Sequence, residues 1–281
     1  MVRVKKYSGE LVPFNPDSLR YSLSRSGATP QQVERVYRDI QKHLYDGITT
    51  KELYEIAYNC LRNHKDSYAA RYSLKKALRQ LGPEGFYFER WIGKLFADDG
   101  YQTVTSQIVQ GHAVTHEIDV IAAKGTDLLA IECKFRNDVD AKISVTTPMY
   151  FMSRVKDISE LPFSFFGKTR TFTTGWLVTN AYLTSDSKNF GEFYNLNLLA
   201  WDYPIASSIK VRVDDNGLYP VTCLTTLNDV EKSLLLKNHC ILVRDLVGMP
   251  DFLDHLQIDV EKRKKILAEA RELIHSPVGA E

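Results

Sequence analysis

Two acids and an amine stand inside what reads as an apolar strand pair. In the stretch HEIDVIAAKGTDLLAIECKF, residues 116 to 135, Asp119, Glu132 and Lys134 interrupt two apolar runs that flank Lys-Gly-Thr-Asp. With Lys124 to Asp127 as a turn and the flanks paired antiparallel, Asp119 falls opposite Glu132 and Glu117 opposite Lys134. Alternation then places these four on one face, with Ile118, Val120, Leu129, Ile131, Cys133 and Phe135 on the other. Directly opposed side chains have Cβ atoms about 4.5–5.5 Å apart, where like charges are destabilising. A divalent cation relieves that conflict, because Mg²⁺ takes one or two carboxylates and leaves its other positions to water and substrate phosphate. Lys134 would then orient an attacking water or neutralise charge developing at phosphorus. A solvated sheet face with a Glu117–Lys134 ion pair accounts for the same residues with no chemistry, since surface pairs are common and weak.

A third acid bears on the choice. In EGFYFERWIGKLFADDGY, from Glu84 to Tyr101, Phe86, Phe88, Ile92, Leu95 and Phe96 define the apolar stripe of a helix, and Glu89 lies inside its arc. An unpaired charge is costly to bury, so Glu89 needs a cation, a donor or a metal near the sheet. Gly100 stops the helix. After the strand pair come a helix from near Pro148, a strand over Gly175–Leu183, a helix across Ser185–Leu196 and a strand at Leu198–Tyr203. Mixed elements in this order predict an α/β layer structure with helices on both faces of the sheet.

The flanks differ. Residues 1–82 read as a hairpin, VRVKKYSGELVPF with Ser8-Gly9 at its turn, then helices opened at Asn15-Pro16 and Thr29-Pro30, and two more across TTKELYEIAYNCLRNH and SYAARYSLKKALRQL, the last ended by Gly82-Pro83. Residues 206–281 return to helices, including TLNDVEKSLLLKNH and DVEKRKKILAEARELIH. The turn at Asn238-His239 loosely resembles half of a helix-hairpin-helix but lacks its glycine, so plain helical packing is the better reading. The run at 261–265, EKRKK, reads as a solvated helix face. The expected organisation is thus 1–82, 83–205 and 206–281.

Glu89 on a helix, Asp119 on a strand and Glu132-Cys133-Lys134 on the next resemble the E…D…ExK core of the PD-(D/E)XK nuclease superfamily. The succession FER, GY, HEIDVIA, AIECKF, GWLVTNAYLT and LLAWD is most similar to its Mrr-like restriction endonuclease branch. The resemblance implies a restriction-endonuclease-like mixed sheet flanked by helices, and hydrolysis of DNA phosphodiesters with Mg²⁺ or Mn²⁺. Asp119 and Glu132 would hold the metal, Glu89 would join its shell directly or through water, and Lys134 would assist the water, the four forming the catalytic set.

The first segment resembles an ATP-cone, a small, mostly helical nucleotide-sensing domain with an N-terminal hairpin. VKKYSG, PFNPDSL, YDGITTKELYE and YAARYSLKKAL carry the likeness in family order. It implies ATP or dATP as an allosteric ligand, touched by Asn15 and Thr50, with Lys5, Lys6 and Arg79 supplying charge. Tyr7 and Ser18 stand where the family usually has cations, a change expected to lower affinity or alter the ligand. A cone kept for packing or dimer contacts is the alternative.

Composition narrows the field. A chain of 281 residues with 25% charged residues and a net charge of +1 has no global basic field to announce a nucleic-acid or membrane partner, so a polyanion site must be local. The N-terminus lacks a secretory apolar run and no stretch reaches spanning length, so a cytoplasmic protein without membrane association is expected. Cys60, Cys133, Cys223 and Cys240 form no CxxC pair and read as reduced packing cysteines. Gly167-Lys168-Thr169 mimics the end of a phosphate loop, but Pro162 occupies the required upstream glycine position. The expected function is a Mg²⁺-dependent DNA endonuclease regulated by an adenine nucleotide, with DNA and that nucleotide as partners and a homodimer left open. The competing readings are a nucleotide-responsive DNA-binding protein whose nuclease fold no longer cuts, and a structural protein in which both sites are relics.

Overall fold

Asn15 and Thr29 each precede a proline, and each caps a helix. Asn15 Oδ1 accepts the N–H groups of Asp17 and Ser18 at the start of α1 (Pro16–Ser24), and Thr29 with Gln32 closes a capping box on α2 (Pro30–Gln41). Both devices satisfy amides that a first helical turn leaves without carbonyl partners. The structure, a computed structural model, describes residues 2–6, 8–82 and 85–275. Tyr7, Pro83 and Glu84, which the sequence reading used, lie outside the described residues.

The chain divides into two compact units, one of residues 1–77 and 213–281, the other of 78–212. The three consecutive segments read from the sequence therefore fall into two units, the last joining the first. In the first unit, β1 (Arg3–Lys5) pairs antiparallel with β2 (Leu11–Pro13) around Gly9, whose φ of 88° suits the turn. β3 (Ile48–Thr49) adds parallel to β1, a strand too short to show in the sequence pattern. α3 (Thr50–His64) and α4 (Asp66–Tyr72) follow, and the chain passes to the second unit within α5 (Leu74–Arg79). The single helix expected across YAARYSLKKAL breaks at Ser73, whose hydroxyl donates to the Ala70 carbonyl. Leu23, Val36, Ile40, Ala57 and Leu61 form the buried centre.

The second unit holds α6 (Phe86–Asp98), β4 (Gln102–Gln110), β5 (Thr115–Lys124), β6 (Asp127–Lys134), β7 (Lys142–Ile143), α7 (Thr146–Ile158), β8 (Phe163–Phe165), β9 (Lys168–Arg170), β10 (Thr174–Thr179), β11 (Tyr182–Leu183), α8 (Ser185–Phe193) and β12 (Asn197–Leu199). Its main sheet has the order β12-β10-β6-β5-β4, antiparallel through β4, β5 and β6 and parallel from β6 to β12. This is the mixed, helix-flanked α/β sheet expected. β4 was not expected: it is mostly polar, and Ser106 sits at φ 53° between the pairs Thr105↔Val120 and Gln107↔Ile118, with the register unchanged across it. So polar a strand shows little of the apolar alternation by which strands are recognised.

Two further expectations are corrected. On α6 the buried stripe is Phe88, Trp91, Ile92, Leu95 and Phe96, while Phe86 is exposed. The β5–β6 face expected to be charged is packed for most of its length, with Ile121, Ala123, Leu128 and Ala130 clustered with Ile158 of α7 and Phe172. Helices cover both faces of the pair, so charge survives only at its open end. Gly167 lies in the turn between β8 and β9, a hairpin and not the strand-to-helix loop of a phosphate site.

α9 (Ile209–Asn216), α10 (Asp229–Lys237), α11 (Val243–Gly248) and α12 (Val260–His275) complete the chain. Buried Arg71 of α4 donates Nη2 to the Glu272 and Leu273 carbonyls of α12 at 3.1 Å each. Arg25 pairs with Asp214 at 2.6 Å and the Thr222 hydroxyl donates to the Ala77 carbonyl at 2.8 Å, so polar contacts as well as apolar ones join these helices to the N-terminal module. Among the described residues no helix is long and apolar enough to cross a membrane.

Candidate active site

The β5–β6 ladder runs from Lys124↔Asp127 to Val120↔Ile131, the register that the turn and the alternation predict. One residue further, Asp119 and Glu132 come abreast where that ladder ends. There the Cys133 N–H donates to Asp119 Oδ2 at 2.6 Å, so the carboxylate takes a bond that a continuing strand would have supplied. β6 stays paired with β10 on its other side as far as Thr179↔Lys134. The Thr179 hydroxyl donates to the Lys134 carbonyl at 2.6 Å, and the Asn180 amide bonds both the N–H and the carbonyl of Arg136 at 2.8 Å. The exit of the strand is thereby fixed just past the acids and the amine.

Glu89 arrives from the first turn of α6. Gly85, at φ 86°, caps that helix, and a Cβ added there would lie 3.8 Å from Glu89 Oε1 and 3.6 Å from the Phe135 Cβ. Glycine supplies the left-handed backbone, and the spacing shows how near the Glu89 carboxylate comes to the end of β6. Phe88 on the same turn packs against Phe135, ring centres 5.6 Å apart, which ties the helix start to the end of β6.

Charge is unevenly shared. Glu132 is only 3% exposed, and Lys134 Nζ stands 2.5 Å from its Oε1. Arg154 of α7 donates Nη1 to Glu132 Oε2 and Nη2 to the Glu117 carbonyl. Lys134 therefore pairs with Glu132, and the Glu117–Lys134 bridge of the simpler reading is not the arrangement found. Burial, then the charges of Glu132 and Glu89, push the Asp119 carboxyl up to about 7, against the opposing Cys133 N–H and Lys134. Burial, then Glu117 and Glu132, also raise Glu89. Glu89, Asp119, Glu132 and Lys134 thus share one field, two of the acids above their ordinary range because carboxylates crowd one another away from water.

The donor set suits Mg²⁺ or Mn²⁺ in kind, being hard carboxylate oxygens whose mutual repulsion a cation would offset. As they stand, no three His, Cys, Asp or Glu side chains among the described residues converge closely enough to ring a metal ion. Both oxygens of Glu132 face cations of the chain itself. Arg154 is the site's residue that the sequence reading missed. It sits on α7 between Phe151 and Ile158, both buried, and a cation beside an apolar helical stripe is the same signal that singled out Glu89.

The residues expected at the cone's nucleotide site are spread more widely. The Thr50 hydroxyl donates to the Lys5 carbonyl at 3.2 Å, which brings those two together. Lys6 pairs with Glu10 at 3.1 Å, and the Asn15 side chain is engaged as the cap of α1. Arg79 falls in the other compact unit. Exposed Lys5, Lys6 and Thr50 suit a polyanion in kind, with Glu10 as a competitor for Lys6.

Residues 2–81 match the family model of the ATP cone domain, and residues 81–203 match that of the restriction endonuclease. Both resemblances read from the sequence are shown. Residues 219–274 further match an AF1548-like C-terminal family. A protein of Archaeoglobus fulgidus described as uncharacterized is 29% identical over 184 residues, 65% of this chain and 99% of that one. A crystal structure of the protein of unknown function AF1548 is 28% identical, with a TM-score of 0.55, and covers 67% of this chain and 97% of its own. The chain thus carries an ATP-cone-like region followed by a restriction-endonuclease-like one, and its described relatives add no assigned activity.

Proposed function

We propose that the chain is a divalent-metal-dependent DNA endonuclease, tuned by ATP or dATP at the N-terminal cone and acting in the cytoplasm. The observation that supports it most is Asp119, which sits on β5 just past the end of its ladder with β6, with its carboxyl near pKa 7 in the field of Glu132, Glu89 and Lys134. In this reading Asp119, Glu132 and Glu89 hold Mg²⁺ or Mn²⁺. When bound, the cation would neutralise charge at the scissile phosphate and activate water. Lys134, two residues beyond Glu132 and partly exposed, positions the attacking water and donates to a phosphate oxygen. Asp119 must shed its proton to serve as a ligand, which a carboxyl near 7 does at neutral pH. A homodimer would bring two such sites to the two strands of a duplex together, and the reading leaves that assembly open.

The nucleotide belongs to the same proposal. Lys5, Lys6, Asn15 and Thr50 would bind its phosphates and sugar, and binding would alter the rate of cleavage. One observation favours a second reading, a nucleotide-responsive DNA-binding protein that does not cut: Lys134 and Arg154 already take both Glu132 oxygens. Nicking of supercoiled plasmid by the full chain, with Mg²⁺ or EDTA and with or without ATP, separates the two. Nicking that needs Mg²⁺ and that Asp119→Ala lacks is the expected result. Plasmid bound but left intact, whether methylated or not, would establish the second reading.

A further inference from the structure

Glu132 is almost wholly buried, yet it does not wait for a metal. Its Oε1 meets Lys134, and its Oε2 meets the guanidinium of Arg154, whose other arm reaches the Glu117 carbonyl where β5 departs from β6. A buried carboxylate stripped of its partner is costly, so Oε2 needs a donor or a cation in every state of the site, and Arg154 supplies both. Arg154 and a divalent ion are candidates for the same oxygen. Because like charges exclude one another there, they compete.

We propose that Arg154 is the resident counter-cation of Glu132, holding the carboxylate while no metal is bound and passing to a phosphate of the DNA when a divalent ion takes its place. The proposal rests on the nuclease reading above. Three features support an exchange rather than a fixed structural pair. Arg154 is mostly buried but not sealed, its side chain 13% exposed against 4% for Glu132. Its planar fork matches phosphate oxygens as well as it matches a carboxylate, which a lysine would not. The exposed ring of Tyr150, one turn back on α7, lies 6.0 Å from the guanidinium and offers it a cation–π seat on the way to solvent.

The helix that carries Arg154 is itself anchored, so the side chain and not the backbone does the moving. Asp157, three residues on, accepts the Ala113 and Val114 N–H groups at 2.9 and 3.3 Å and pairs with His116 at 2.7 Å. Gly111 is packed so closely there that an added Cβ would fall 2.1 Å from Asp157 Oδ2. α7 is thus pinned to the β4–β5 turn one step from the acids. Arg154 is a positioning residue for Glu132 in one state and a phosphate contact in the other.

Mn²⁺ titration of the full chain without DNA, followed by the paramagnetic resonance of free Mn²⁺, tests the first half. Arg154→Gln should bind Mn²⁺ about fivefold more tightly than the wild type or better, the lower end of ordinary coupling between two ligands. Arg154→Lys, which keeps the charge and guards against a folding defect, should fall between them. Duplex binding in Ca²⁺ at several salt concentrations tests the second half. Arg154→Gln should flatten the logarithmic salt dependence by about 0.9, the signature of one lost phosphate contact. Wild type that binds Mn²⁺, loses it in Asp119→Ala and is matched by folded Arg154→Gln would overturn the role of Arg154 alone. An unchanged salt slope would remove its phosphate half. No Mn²⁺ binding by either protein would overturn the metal reading and this proposal with it.

Discussion

Glu132 and Glu269 are buried to the same degree, each 3% exposed, and their surroundings could hardly differ more. Glu269 of α12 accepts the Thr225 and Thr226 N–H groups at 2.7 and 3.0 Å and the Thr226 hydroxyl at 2.6 Å. Those donors are neutral, come from one short loop, and hold that loop against the helix. Glu132 instead lies between two cations and shares its field with Asp119 and Glu89. Burial of an acid is therefore not in itself a mark of function. An acid satisfied wholly by neutral donors builds the fold, whereas acids crowded together and relieved mainly by side-chain cations are placed to exchange partners.

The comparison breaks first at Asp119. Asp119→Asn keeps the shape but removes the charge, and should lower the rate of plasmid nicking by about a hundredfold to a thousandfold, as loss of a group acting on charge at the reacting centre does. Because it also removes repulsion from Glu132 and Glu89, thermal unfolding in EDTA should show a melting temperature unchanged or raised. A melting temperature that falls by several degrees would make Asp119 a structural acid of the Glu269 kind.

Glu269→Ala is the mirror case. Two N–H groups and a hydroxyl lose their acceptor, so the unfolding free energy should drop by about 3 kcal/mol in a denaturant titration. Among molecules still folded, nicking should persist. Loss of nicking with little loss of stability would assign Glu269 a part in the chemistry.

Much of this contrast was legible in the residues before any coordinates. The register that sets Asp119 beside Glu132 follows from a period of two and one turn, since a slip by one residue would turn both apolar faces over. Glu89 was visible as an acid inside a helical stripe. β4 was hidden by its polar composition, and β3 by its length. Arg154 stood beside the stripe of Phe151 and Ile158 but went unnoticed because a lone arginine on a helix usually marks a wet face, and its partner Glu132 is set by the tertiary packing of α7. The union of α9–α12 with the N-terminal module rests on Arg71, Arg25 and Thr222, whose partners lie far away in the chain and leave no local pattern.

The same comparison can be sharpened with pH. The folded Asp119 carboxyl titrates near 7 against an ordinary 3.8, so the folded state holds the proton more firmly than the unfolded one. Its contribution to stability is fully present below about pH 4 and is lost as pH rises through about 7. Denaturant titrations in EDTA at about pH 5 and about pH 8 should show wild type losing more stability than Asp119→Asn across that window. Mn²⁺ affinity should run the other way, rising with pH, because the ion must displace the proton. A difference between the two proteins that does not change with pH would mean that the carboxyl titrates in its ordinary range.

The smallest effect falls on Asn15, where a fold role and a proposed ligand role meet in one side chain. As the cap of α1 it accepts two backbone N–H groups, a task that aspartate performs equally well. Asn15→Asp should therefore leave stability within about 0.5 kcal/mol, while Asn15→Ala should cost about 1 kcal/mol. Toward a nucleotide the ranking changes, since the new carboxylate would repel phosphate. Calorimetric titration with ATP should show Asn15→Asp weakened at least as much as Asn15→Ala. Equal ATP affinity in all three proteins would leave Asn15 with its capping role alone and shift any nucleotide contact to Lys5, Lys6 and Thr50.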